Sequence, residues 1–261
     1  MCAMKMIPSE ILTCACCVLI SVGCSVKEDR DSCPCRLVFD FSEIDTAVID
    51  YADVSVAAQD GFFFTDRIDA QAFEEDYETL VPHGDVRVGA WCGADGLREG
   101  DGFLIPLGSD CPQVYIYYSK MNLIGEKRRL KVQMRKCFCR MTIMLKGDYV
   151  GSADLVLKGN VNGYGQDGSP LPGEFIYKLP SEGMERKVVV PRQNDDSLTL
   201  EISGDSQVLR RFAIGEYIAA TGYDWTKPDL EDITVELDFA STQVTLTVQG
   251  WNEEYKFDVI I

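Results

Sequence analysis

Arg36-Leu37-Val38-Phe39-Asp40-Phe41 places Leu37, Phe39 and Phe41 on one side of an extended chain and the charged Arg36 and Asp40 on the other. A period of two is the signature of a strand with one buried face. Short segments of the same kind follow at close spacing: Asp53 to Ala57, Phe62 to Thr65, Val86 to Cys92, Phe103 to Leu107 and Val114 to Ser119. Between them lie glycine-rich turns such as His83-Gly84-Asp85, Cys92-Gly-Ala-Asp-Gly96 and Glu99-Gly-Asp-Gly102. One segment breaks the rhythm, since Phe73, Tyr77 and Leu80 within Ala70 to Leu80 have helical spacing and predict a short helix over the sheet. The first half therefore reads as an antiparallel β-sandwich.

Between Met121 and Lys146 the local charge turns positive, with Lys127, Arg128, Arg129, Lys131, Arg135, Lys136 and Arg140 in an otherwise acidic chain. Leu130, Val132 and Met134 alternate with these cations, and Cys137, Cys139, Met141 and Ile143 alternate with Arg140 and Thr142. Two strands with basic outer faces account for this pattern, and a contact patch for an acidic partner is the sharper alternative. The domain boundary falls near residues 135–137, giving an N-terminal sandwich domain over 36–135 and a C-terminal one over 136–261.

The second half repeats the style of the first without evident self-similarity. Strands are expected at Phe138 to Leu145, Ser152 to Lys158, Glu174 to Leu179, Lys187 to Pro191, Leu198 to Ser203 and Gln207 to Ala213. The glycine-rich run 160–168 lacks the alternating acidic ligands and closing glutamate of a calcium loop, so it reads as a long hairpin. A short helix follows within Phe212 to Trp225, closed by Gly222. Then come Asp232 to Phe239, a turn at 240–242, Gln243 to Trp251, and a last strand from Tyr255 to Ile261.

Ahead of the first strand, Ile11 to Val22 is uncharged but shorter than the roughly 20 apolar residues that span a bilayer. It reads as the core of a secretory signal over 1–23. Ser21-Val22-Gly23-Cys24, directly after Leu19-Ile20, resembles the lipobox of bacterial lipoproteins, which implies that Cys24 is acylated and becomes the new amino terminus. The tether 24–35 that follows contains Lys27-Glu28-Asp29, which is similar to the export tag of surface lipoproteins in Bacteroides-type bacteria.

Lys plus Arg number 25 against 42 Asp plus Glu, a formal charge of -17. Such a surface repels phosphate backbones and anionic headgroups, which argues against nucleic acid as a partner and leaves lipid as the means of membrane attachment. Six cysteines remain beyond the signal and Cys24, namely Cys33, Cys35, Cys92, Cys111, Cys137 and Cys139. In an exported chain they permit up to three disulfides of undetermined pairing. The spacing is too tight for an ordinary structural zinc site, and no cofactor is expected. Catalysis is poorly supplied, because the only histidine, His83, lies in a turn and no glycine-rich phosphate loop is present. Trp91, Trp225 and Trp251 with Tyr115, Tyr117 and Tyr118 offer stacking surfaces for a glycan, although aromatics alternating along strands more commonly pair within the core.

Taken together, the lipobox, the Cys33-Pro34-Cys35-Arg36 lead into the first strand and the closing pair ending Val248-Gln-Gly-Trp251-Asn252 resemble the fimbrial anchor (FimB-like, minor subunit) family of type V, fimbrillin-type fimbriae. The resemblance implies an all-β fold of two tandem, transthyretin-like β-sandwich domains with one or two short helices. It further implies an outer-membrane lipoprotein that holds a fimbrial subunit by strand addition and limits fimbrial length. Candidate exchange elements are the first strand and the last, where Tyr255, Phe257, Val259 and Ile261 fill alternate pockets while Lys256 and Asp258 face water. Two rivals remain: a surface lipoprotein that contacts host glycans, and a fimbrial tip or stalk subunit. A stalk subunit needs a basic cleavage site after its first strand, for which Asp66-Arg67 is the one candidate.

Overall fold

The computed structural model describes residues 33–95, 98–99, 102–147, 154–181, 183–204, 207–238 and 243–258. The first half contributes β1 (Cys35–Asp40), β2 (Tyr51–Ala58), β3 (Phe63–Asp69), β4 (Tyr77–Val81), β5 (Gly84–Cys92), β6 (Arg98–Glu99), β7 (Gly102–Leu104), β8 (Tyr115–Leu123), β9 (Lys127–Lys131) and β10 (Arg135–Lys136). The second half contributes β11 (Phe138–Lys146), β12 (Asp154–Gly165), β13 (Pro170–Lys178), β14 (Glu185–Pro191), β15 (Thr199–Gly204), β16 (Gln207–Phe212), β17 (Ile233–Asp238), β18 (Gln243–Val248) and β19 (Glu254–Asp258). Helix α1 (Ile214–Ala220) is the α-helix among the described residues, and Gly222 closes it at a φ of 83° that a side chain would strain.

Four sheets stack in two pairs, as the alternating segments require. The sheet β4-β1-β9 faces β10-β8-β5-β2-β3 over a core that includes Leu37, Phe39, Val54, Val56, Val88 and Leu123. The sheet β14-β11-β17-β18-β19 faces β16-β15-β12-β7-β6, with β13 on the free flank of β12, over a second core that includes Met141, Ile143, Leu155, Leu157, Val235 and Leu246. Most ladders are antiparallel, but β9 runs parallel to β1 and β17 runs parallel to β11. The all-β sandwich class expected from the alternation is what forms.

Two local expectations are corrected. The helix expected over Ala70 to Leu80 is a single 3-10 turn, Ala70–Ala72, followed by β4. Tyr77 and Leu80 sit in register with Phe39 and Arg36 of β1, so ladder pairing outweighs the helical spacing. Phe103, placed with the first sandwich by its position in the chain, instead crosses to the second, where β7 pairs with β12. Both strands are glycine-bearing at the contact: a Cβ on Gly102 would lie 2.3 Å from the Tyr164 carbonyl oxygen, and one on Gly163 would lie 2.2 Å from that of Phe103. The run 160–168 forms the long hairpin expected of it, strand up to Gly165 with a tight turn before β13.

The self-similarity not evident in the sequence is plain in the topology. In order, β1, β2, β3, β4, β5, β8 and β9 make the same pairings as β11 to β17. The first strand of each set takes the fourth antiparallel on one side and the seventh parallel on the other; the second takes the third and the fifth, and the fifth takes the sixth. The first strands also share their lead, since Cys33-Pro-Cys35-Arg36-Leu37 corresponds to Cys137-Phe-Cys139-Arg140-Met141. Registers agree as well: Phe39 pairs with Leu130 where Ile143 pairs with Val235, and Val38 with Arg129 where Thr142 pairs with Thr234.

The two sandwiches share an aromatic joint. Trp91 of β5 turns its buried ring away from its own core to meet Phe103 edge-on at 6.0 Å, and Phe103 lies 5.5 Å from Tyr164. The Tyr164 hydroxyl donates to the Cys137 carbonyl and accepts from the Arg192 amide at 2.7 Å. The Arg192 guanidinium then donates to the carbonyls of Trp225, Lys227 and Pro228, binding the 223–230 loop against the joint.

Candidate strand-pairing edges

Cys24, Val259 and Ile261 lie outside the described residues. The described part of the C-terminal strand, β19, is the last strand of its sheet. Its inner edge pairs with β18, Leu246 opposite Tyr255 and Val244 opposite Phe257. Tyr255 and Phe257 are half-buried against the second core, Phe257 stacks on Tyr217 of α1 at 5.0 Å, and Tyr255 meets Trp251 at 6.2 Å. Glu254, Lys256 and Asp258 alternate with them; Glu254 and Asp258 are exposed and Lys256 is likewise open to solvent. Strand β1 differs, because β4 and β9 occupy both its edges and it presents no unpaired row.

The edge that corresponds to the joined flank of β17 lies on β9. In the β1–β9 ladder Arg36 N donates to Glu126 O and Val132 N donates to Asp40 O, so even-numbered residues spend their backbone groups on β1. Lys127, Arg129 and Lys131 point theirs outward, and among the described residues no strand meets them. The cations reach back across the outer face of the sheet: Lys127 to Glu78 at 2.8 Å, Arg129 to Asp40 at 3.2 Å and to Asp76, and Lys131 to Glu43. All three remain about half exposed, so the pairs are the screened, low-value kind. Hydrogen bonding to Lys127 holds the Glu78 carboxyl below its usual range.

At the opposite flank of the second sandwich the edge is closed. The Asp110 carboxylate accepts from the Val189 amide at 2.8 Å and the Cys111 amide donates to the Val189 carbonyl, so the segment crossing from the first sandwich covers β14. Burial pushes the Asp110 carboxyl up despite those donors.

The remaining sequence candidates are structural in their surroundings. Cys35, Cys92, Cys111, Cys137 and Cys139 are unpaired and buried, whereas Cys33 is unpaired and exposed. Burial pushes the Cys137 thiol up to about 11 and the Cys139 thiol to about 12, leaving both protonated and unreactive near neutral pH. Among the described residues no cluster of three or more His, Cys, Asp and Glu groups is poised to hold a metal. His83 bonds the Gly125 carbonyl at 2.9 Å through Nε2. Trp91 and Trp225 are buried, and Tyr115 packs edge-on against Phe138, so these rings serve the core and the joint. Arg67 lies within β3, forked onto Asp53 at 2.7 and 2.8 Å, bonded to Asp95 and stacked on Tyr51; it is held in a ladder and not in a cleavable loop. None of the described helices is long and apolar enough to cross a membrane.

No protein-family model matches the sequence, and no curated protein matches it. Solved structures do. The fimbrial anchor protein Mfa2 from Porphyromonas gingivalis superposes with a TM-score of 0.61 at 14% identity, covering 84% of this chain and 98% of that one. A candidate polysaccharide-binding protein from Bacteroides thetaiotaomicron gives 0.61 at 14% identity, covering 86% and 98%. A candidate adhesin from Bacteroides ovatus gives 0.59 at 12% identity, covering 88% and 97%. At such identities what is shared is the fold, over nearly the whole length of each neighbour.

Proposed function

We propose that this protein is a non-enzymatic, surface-exposed lipoprotein of the bacterial outer membrane that holds a fimbrial subunit at the cell by β-strand addition. The observation that carries the reading is the open outer edge of β9 and of β19 in a sandwich fold shared with nearly the whole length of a fimbrial anchor. Acyl chains on Cys24 supply the membrane attachment, and two or three chains hold where one binds only marginally. The strand from Tyr255 to Ile261 is the exchange element of the C-terminal domain, 136–261, with its aromatic and aliphatic residues at alternate positions.

Cross-linking in intact cells tests this reading. Capture of a fimbrial subunit, together with acyl mass on the intact membrane-bound protein and its release by Cys24→Ala, is the expected result. A protein that carries no acyl mass and captures only unrelated envelope proteins overturns it. Glycan binding has one favouring observation, the half-buried Trp251 beneath Lys227 at 5.5 Å. Selective sugar binding on an array that vanishes in Trp251→Ala would move the reading there.

A further inference from the structure

We propose that β9 is an acceptor edge, at which a strand from a partner protein adds antiparallel and takes the place that β18 holds in the second sandwich. This sharpens the strand-addition reading above and rests on it. The argument comes from the duplicated topology. In the second sandwich the seventh strand, β17, does not end its sheet: Gln249 N donates to Asp232 O, and β18 continues the ladder with Val235 opposite Leu246 and Thr234 opposite Thr247. In the first sandwich the seventh strand is β9, and its outward N–H and C=O groups at Lys127, Arg129 and Lys131 stand in the positions that β17 uses to bind β18. After β9 the chain turns away to form β10 on the other sheet, so among the described residues no following strand covers the edge.

The same registers say what the added strand looks like. Leu130 occupies the place of Val235 and Val132 follows it inward, so the inward positions of the partner strand are aliphatic, as Val244, Leu246 and Val248 are in β18. Arg129 and Lys131 take the places of Thr234 and Glu236, whose cross-strand neighbours are Thr247 and Thr245. Opposite two cations the complementary residue is a carboxylate, so the partner strand alternates acidic residues outward with aliphatic residues inward. Arg128, exposed and without an ion pair among the described residues, adds to the positive edge. Leu80 and Ile124, 59% and 77% exposed, add apolar surface near the start of β9.

The probe is a synthetic peptide copying residues 242–249 with Thr245→Glu and Thr247→Glu, added at millimolar concentration to the full chain. Amide exchange by NMR is expected to slow at Lys127, Arg129 and Lys131. A peptide with Thr245→Lys and Thr247→Lys is expected to bind about tenfold more weakly. Arg129→Pro removes one outward N–H at a position where edge strands tolerate proline, and is expected to abolish the protection. The pair Arg129→Glu and Lys131→Glu, which leaves the backbone intact, should reverse the preference toward the lysine peptide. Protection appearing at β19 instead, or unchanged binding in both variants, overturns the proposal. So does protection that grows with protein concentration in the absence of peptide, since the occupant would then be a second copy of this chain. Capture of a fimbrial subunit in cells together with an unprotected β9 would sink this assignment alone and leave the anchor reading standing.

Discussion

The two sandwiches follow one strand path and finish it differently. In the second, β18 and β19 extend the sheet past β17, and their Val244, Leu246 and Val248 complete the core. In the first, the sheet stops at β9, and its last strand carries four cations in five residues. Natural sheets guard an edge by covering it or by charging it; here the flank of β17 is covered and the matching flank of β9 is charged. The difference shows that the same backbone plan can be stable with either solution. A charged edge remains available to another chain, and a covered one does not.

The sharpest way to break that comparison is a matched pair of prolines. Thr234→Pro removes a donor that faces β18, so the second sandwich is expected to lose its cooperative unfolding transition, followed by circular dichroism on heating. Arg129→Pro at the corresponding position of β9 is expected to cost no more than about 1 kcal/mol. Equal damage from both would mean that β9 is not an open edge.

Next in size is the core that the added hairpin supplies. Leu246→Ala deletes a fully buried side chain and should cost about 3 kcal/mol in denaturant titration, whereas Leu130→Ala, at the rim of the first core, should cost visibly less. A smaller effect separates the faces of the two equivalent strands β5 and β15. Glu201 of β15 is buried beneath Lys158 at 2.7 Å and Arg211 at 2.5 Å, and hydrogen bonding to Lys158 first, then to Arg211, holds its carboxyl below the usual value of 4.5. A depressed carboxylate stabilises the fold above its ordinary pKa and loses that contribution as pH falls through the folded value. Glu201→Gln should therefore cost about 2 kcal/mol at neutral pH, with the difference from the parent vanishing in strong acid. In the first sandwich the carboxylate that β5 carries, Asp85, is exposed and accepts from the Asn122 amide, so no comparable pH dependence is expected there. The least effect is expected from Lys127→Ala, which removes only an exposed pair and should leave the melting temperature unchanged.

Much of the fold was legible because strand alternation is local. Leu37, Phe39 and Phe41, or Met141 and Ile143, declare their faces within six residues. What escaped was either ambiguous or long-range. Phe73, Tyr77 and Leu80 fit a helix by spacing, and only the presence of β1 beside them selects a strand. Phe103 gives no local sign that it pairs with a strand some sixty residues further along, as its partner Tyr164 shows. The duplication was written in Cys-x-Cys-Arg at both 33–36 and 137–140, yet two short matches carry little weight until the ladders around them coincide. At the edges, Tyr255 and Phe257 could be read as an alternating terminal strand. The open flank of β9 could not, since an edge is defined by the absence of a neighbour.

The central position of β1 has a mechanical consequence. The chain ahead of Pro34 runs directly into a strand gripped on both sides, with Cys35 to Phe39 laddered to β4 and Arg36 to Asp40 to β9. Traction on that leader is borne in shear, by two rows of bonds strained together, instead of peeling an outer strand one bond at a time. A pull applied from the N-terminal side would meet its resistance at the place where the force enters.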